Sequence, residues 1–202
     1  MILRDRLAAA LSPELDALQT QDVFLYVDRP MPEGPFTPAA VLVAITDRPS
    51  PGMLLTQRHA GLRQHSGQVA FPGGRLDPED ADAIAAALRE AEEEIALPQH
   101  VVEVIGRSDT FRTGTGFAIE PIIGIVPPDL PLQPAVGEVE AIFEVPLDFL
   151  LDAANRELKT VDWNGGKRSY YEYLWEEQRI WGVTAAILVN LARRIEAVRE
   201  SR

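Results

Sequence analysis

The run AAVLVAIT, residues 39–46, carries no charge in eight positions, and GMLLTQR, residues 52–58, follows it after the turn cluster DRPSP. Both are aliphatic or β-branched and are bounded by Pro, Gly, Ser and Asp, so they predict two buried strands joined by a short turn. Strands of this kind must be covered, and 202 residues are enough for one domain with a sizeable core. FAIEPIIGIV (117–126) and VEAIFEVPL (139–147) extend the strand set, with shorter candidates in GQVAF (67–71) and VVEVIG (101–106). KTVDW and KRSYYEYLW flank Asn164-Gly165, a pair suited to the two positive-φ positions of a tight hairpin turn. WGVTAAILVNLARRIEAV has helical apolar spacing and basic residues in its last turns, which predicts a C-terminal helix. Residues 2–19 predict a short amphipathic helix, and the Pro-rich RPMPEGPFTP (29–38) follows as an irregular connection. The expectation is a mixed α/β fold, with 1–36 an N-terminal helix and entry segment and 37–202 the main domain.

Composition narrows the chemistry. With no cysteine, disulfides, thiolate zinc sites and cysteine nucleophiles are excluded. A net charge of -12 argues against nucleic acid as a partner, because phosphate backbones demand a basic footprint. The first residues, MILRDRLAAALSPELDAL, place charges where a signal peptide needs an apolar core, and no run reaches the length of a membrane span. A cytoplasmic protein acting on a small molecule is the expectation, as monomer or homodimer, with the terminal helix a candidate dimer surface.

The stretch FPGGRLDPEDADAIAAALREAEEEIAL, residues 71–97, joins a Pro-Gly-Gly turn to a helix with Glu90, Glu92, Glu93 and Glu94 crowded together. At 100° per residue, Ile84, Leu88, Ala91 and Ile95 form one stripe, and Glu90, Glu93 and Glu94 fall together roughly 130° away, with Glu92 elsewhere. Like charges near a helix C-terminus cost together roughly 1–2 kcal/mol. Either this is an ordinary solvated face, or a hard divalent cation such as Mg²⁺ sits on it, with Glu90 and Glu94 one turn apart as oxygen ligands.

Just upstream, residues 57–75 contain Arg58, Arg63 and Arg75, His59 and His65, and no acid, whereas the next nineteen residues hold eight acids and one arginine. In an acidic protein this stretch offers the positive field that a polyanionic ligand needs, with guanidinium forks suited to phosphate.

These residues together resemble the Nudix box of pyrophosphohydrolases. Gly74 opens the pattern, and Arg89, Glu90, Ala91, Glu93, Glu94 and Leu97 fill its second half in register. Three departures stand out: Asp80 replaces the first Glu, one extra residue precedes Arg89, and Ala96 replaces the terminal Gly. The last costs about 1 kcal/mol if that position needs a left-handed backbone. LLTQRHAGLRQHSGQVAFPGG, residues 54–74, is similar to the added signature of the coenzyme A pyrophosphatase subgroup, and IEPIIGIVPPDLP and IWGVTAAIL also look like that subgroup.

The resemblance implies an α/β/α Nudix sandwich with a mixed sheet and N- and C-terminal helical segments. It implies Mg²⁺ or Mn²⁺ held by Glu90 and Glu94 with the carbonyl of Gly73, Glu93 beside the attacking water, and Arg89 orienting the glutamates. Arg58, Arg63, His65 and Arg75 would face the phosphates, with Phe71 assigned to the same substrate group. The implied reaction cleaves coenzyme A, or its acyl or oxidised forms, to 3',5'-ADP and 4'-phosphopantetheine. Another diphosphate such as ADP-ribose, or a silent nucleotide sensor, is the alternative. Glu138 or Glu140 is the candidate for an extra base supplied by a loop.

Overall fold

The computed structural model describes residues 2–13, 15, 34–61, 66–163 and 166–200. An eight-stranded sheet runs through it, built from β1 (Thr37–Thr46), β2 (Gly52–Arg58), β3 (Val69–Ala70), β4 (Gly73–Arg75), β5 (Glu103–Arg107), β6 (Phe111–Arg112), β7 (Phe117–Val126) and β8 (Val139–Pro146). Its spine is the parallel pair β1 and β7, in register from Thr37 opposite Phe117 to Thr46 opposite Val126. The remaining pairings are antiparallel, so the sheet is mixed. The two longest apolar runs in the sequence are therefore neighbours at the centre, where strands are covered on both faces.

One face receives α2 (Ala83–Ile95), whose Ala83, Ala86, Ala87, Ala91 and Ile95 pack with Leu97 on Ala40, Leu42, Ala44, Ile122 and Val126. Four alanines allow a close approach of helix to sheet. The opposite face, Val43, Ile45, Met53, Leu55, Ile123 and Ile125, is covered by α1 (Leu3–Ala10), α3 (Leu147–Leu151) and α4 (Val183–Glu200). Each fully buried aliphatic side chain contributes about 1.5–3 kcal/mol to that core.

A second sheet joins β9 (Arg156–Trp163), β10 (Gly166–Trp175) and β11 (Gln178–Trp181). The hairpin expected around Asn164-Gly165 is present, with Gly166 opposite Trp163, although the two turn residues lie outside those described. Tyr171, Tyr173 and Trp175 alternate onto the core, and Tyr170 meets Trp181 edge-on at 5.6 Å on the other side.

Several expectations shift. The N-terminal helix is described only as Leu3–Ala10, and most of the predicted remainder lies outside the described residues. The strand expected at 101–106 starts at Glu103, because Gln99–Val101 form a turn of 3-10 helix after Pro98. Trp181 closes β11 instead of opening α4, since its backbone pairs with Glu172. The apolar side of α4 does not offer a dimer surface: Ile187, Leu188, Leu191 and Ile195 are buried, and the large exposed apolar residues include Leu158, Val161 and Leu174 of the second sheet. α1 also belongs to the main core, where Leu7 and Ala10 are fully buried. Arg194 of α4 grips it from inside, with Nη1 donating to the Ala10 carbonyl (2.9 Å) while Nε and Nη2 clasp Asp109 (2.8 and 2.6 Å).

Candidate active site

The chain enters the site by changing strand partners. Gln57 and Thr56 of β2 pair with Val69 and Ala70 of β3, and two residues later Gly73–Arg75 pair with Val41, Ala40 and Ala39 of β1. The crossing is secured by the Leu42 N–H donating to the Pro72 carbonyl (2.8 Å) and by Phe71, which is 3 % exposed. What reads as a Pro-Gly-Gly turn is thus the start of a strand running beneath α2.

The two glycines make room for the helix. A Cβ on Gly73, at φ 157°, would stand 2.4 Å from the Ala40 carbonyl oxygen, and one on Gly74 would stand 2.3 Å from Glu90 Oε1. Without them Glu90 and Glu94 reach the β4 backbone, and the Gly73 N–H donates to Glu94 Oε2 at 3.1 Å. Arg58, ending β2, brings Nη1 to 3.6 Å from Glu94 Oε1.

The apolar stripe read from the sequence is rotated relative to the observed one. Buried Ala83, Ala87, Ala91 and Glu94 share the sheet-facing side, so Glu94 points inward and is 5 % exposed. Glu90 lies about 40° from Glu94 around the helix and Glu93 about 100° away. Glu93 stands at the rim: its side chain is 59 % exposed and accepts at 2.9 Å from Arg89 Nη1, the nitrogen that also reaches Glu90. Among the described residues no set of three or more His, Asp or Glu converges. The carboxylate pair is Glu90 with Glu94.

Arg89 organises the outer side. Its Nε and Nη2 clasp Asp80 (3.0 and 2.9 Å), Nη1 reaches Glu90 Oε1 (3.1 Å), and Nη2 also donates to the Arg75 carbonyl (3.2 Å). Asp80 also accepts from the Asp77 N–H (2.8 Å). The Arg89 bond, then the Asp77 N–H, hold the Asp80 carboxyl below the usual range, and the Asp80 bond leads in raising Arg89. Asp80, which stands where the pattern has Glu, therefore holds the arginine, and Asp82 caps the helix by accepting from the Ala85 N–H (3.0 Å).

Burial dominates the proton affinities of the pair. It raises Glu90 against the opposing pull of Arg89, and it pushes Glu94 up to about 7 against the Gly73 N–H and Arg58, with Glu90 and Glu138 adding to the rise. A buried and a half-buried carboxylate one turn apart fit a hard divalent ion, which needs only one or two carboxylates when water and phosphate complete its shell.

Glu138 arrives by a route that local sequence does not reveal. The Gln133 and Ala135 N–H groups donate to the carbonyls of Ile95 (3.1 Å) and Glu94 (2.9 Å), so the loop caps the end of α2 and carries Glu138 toward Glu94. Ala96 ends that helix in the left-handed region (φ 54°, ψ 32°), with the Leu97 N–H donating to the Ala91 carbonyl, so the missing glycine has its expected cost. Glu140 pairs with His59 Nε2 at 3.5 Å. Arg75 is exposed, with its guanidinium 5.3 Å from the Phe117 ring centre. Phe71, expected to touch substrate, is instead a core residue that braces the crossing from within. Arg63 and His65 lie outside the described residues.

The NUDIX domain family matches residues 36–163. A protein of Escherichia coli (strain K12) described as an uncharacterized Nudix hydrolase, NudL, is 48% identical over 157 residues, or 78% of this chain and 82% of its own. Its counterpart in Shigella boydii serotype 4 (strain Sb227) shows the same 48% identity over the same shares. Among solved structures, a MutT/nudix family protein from Enterococcus faecalis aligns with a TM-score of 0.50 over 85% of this chain and 66% of that one, at 15% identity, a likeness of fold alone.

Proposed function

The chain belongs to the Nudix hydrolase family, and from that premise we propose that it cleaves the diphosphate of coenzyme A, or of its acyl or oxidised derivatives, in a reaction dependent on a divalent metal. Water adds across the P–O–P bridge, and the products are 3',5'-ADP and 4'-phosphopantetheine or its derivative. The observation that carries this reading is the meeting of Arg58 with Glu94, since it joins the two motifs that are separate in sequence. Leu54, Leu55, Thr56 and Arg58 with Gly67, Val69, Phe71, Pro72, Gly73 and Gly74 match the coenzyme A signature, which supports the choice of substrate. The hydrolase unit of this reading is residues 37–202, with α1 sharing its core.

Glu90 and Glu94 would hold Mg²⁺ or Mn²⁺, with the Gly73 carbonyl beside them. A divalent ion there neutralises phosphoryl charge and lowers the pKa of water. The protein's own groups do the rest. Arg89, fixed by Asp80, holds Glu90 against β4. Arg58 and Arg75 supply positive charge for the phosphates, a task shared with Arg63 and His65. In this reading Glu138, whose charge is felt by Glu94, would accept a proton, and Glu93 at the rim would serve the attacking water.

The test is incubation with coenzyme A, ADP-ribose or NADH, with Mg²⁺, Mn²⁺ or chelator, and product identification by mass spectrometry. Metal-dependent release of 3',5'-ADP from coenzyme A is the expected result. Cleavage of ADP-ribose or NADH alone would leave the hydrolase and remove the coenzyme A assignment, and no cleavage would favour a nucleotide sensor.

A further inference from the structure

β9 is the outer strand of the second sheet: among the described strands it pairs with β10 alone, and β10 has β11 on its other side. The hairpin decides which of its backbone groups are used. A two-residue turn closes on a hydrogen-bonded pair, here Trp163 with Gly166, and bonded pairs then recur at every second residue. Val161, Lys159 and Glu157 therefore give their N–H and C=O groups to β10. Those of Arg156, Leu158, Thr160 and Asp162 point the other way, off the sheet.

That edge is open and partly apolar. Leu158 is 50 % exposed and Val161 38 %, with Glu157, Thr160 and Asp162 exposed beside them. Natural edges are usually blunted by proline, a bulge or a charge. β9 has no proline, and its register with β10 runs unbroken from Trp163 to Arg156. Its one lysine is balanced within the strand, with Lys159 Nζ 2.7 Å from Glu157 Oε2 on the same face.

Outward-facing residues must meet outward-facing ones, so a two-fold axis that pairs most of this strand with its own copy falls on Leu158, Lys159 or Thr160. An axis at Lys159 sets that lysine against itself, and like charges directly opposite are destabilising. An axis at Thr160 sets Asp162 against Leu158 and joins no opposite charges. An axis at Leu158 sets the exposed leucine against itself and Glu157 against the other copy's Lys159, twice. The Glu157–Lys159 pair within each strand then becomes half of a square of alternating charge.

We propose that β9 is a dimerisation edge, which joins antiparallel to β9 of a second copy of this chain with Leu158 on the axis. The two three-stranded sheets become one six-stranded sheet, closed by the outward N–H and C=O groups of Arg156, Leu158 and Thr160. Lys159 still guards the edge against unrelated strands, because only a partner with an acid opposite it is accepted. The inference does not depend on the substrate.

Sedimentation equilibrium of the full chain over about 1–500 μM, the range suited to a small interface, should show a concentration-dependent rise to twice the chain mass. Thr160→Pro removes only an outward N–H, so the β9–β10 ladder and the circular dichroism melt should survive while the dimer weakens at least about tenfold. Glu157→Lys and Lys159→Glu should each lose self-association. An equimolar mixture of those two variants should regain it, because every facing pair is again opposite in charge. A monomer at all concentrations would leave the edge to a different partner and overturn the proposal. So would a dimer indifferent to Thr160→Pro, or a mixture that associates no more tightly than its components.

Discussion

Glu90 Oε1 occupies the space that a side chain on Gly74 would need, 2.3 Å from where the Cβ would stand. The carboxylate is thereby held between the β4 backbone and Arg89 Nη1 (3.1 Å). Gly74→Ala should push Glu90 away by about the width of a methyl group and reduce turnover by on the order of 10- to 100-fold without unfolding the chain. Steady-state kinetics beside a circular dichroism melt checks this, and an unchanged kcat would separate Glu90 from the reaction.

Glu94 links activity to pH and stability. Its carboxyl, pushed up to about 7 from 4.5, makes the metal-free folded state bind more protons than the unfolded chain between those values. Stability should therefore fall as pH rises through that window, by about 3 kcal/mol in all, and should be regained below it. Glu94→Gln should remove most of that slope in chelator, leaving the part due to Glu90, while lowering turnover by about 10³-fold. Urea titrations at several pH values, with and without Mg²⁺, provide the comparison, and a wild-type protein with no slope would contradict the burial argument.

Arg89 works through a fork. Lysine keeps the charge but cannot span both Asp80 oxygens while reaching Glu90 and Glu93. Arg89→Lys is expected to lose about 10- to 100-fold in kcat and to weaken Mg²⁺ dependence, the signature of a positioning residue. Wild-type kinetics in this variant would confine the arginine to helix packing.

Ala96 is strained at φ 54°. Ala96→Gly should raise stability by about 1 kcal/mol in urea denaturation and leave kcat alone, because the cap bonds of Leu97 and Ala96 remain available. A destabilised variant would show that the left-handed cap costs nothing here.

Arg194 and Asp109 form a pair whose side chains are 2% and 9% exposed. Asp109→Asn should cost about 3–5 kcal/mol, since it leaves a buried guanidinium half-compensated beside the Ala10 carbonyl. Hydrogen exchange should report the loss first in α1, and uniform protection with unchanged stability would count against a role in holding that helix.

Repetition along the chain was enough to reveal the strands at the centre, the Asn-Gly hairpin, the final helix and the acidic motif, because alternation, turn chemistry and 3.6-residue spacing are local properties. The same spacing turned α2 toward Ile84 and Leu88, which are only partly buried, and the family resemblance grouped Phe71 with the substrate. Which side of α2 faces inward depends on four alanines meeting Ala40, Leu42 and Ala44 of a distant strand, and Phe71 turns inward because β4 pairs with β1 while β3 stays with β2. Asp80 meeting Arg89 and the loop that caps α2 and carries Glu138 likewise rest on contacts that no local pattern shows. Residue type and spacing determined what chemistry the chain carries, and long-range strand pairing decided where each charged group stands and whether water reaches it.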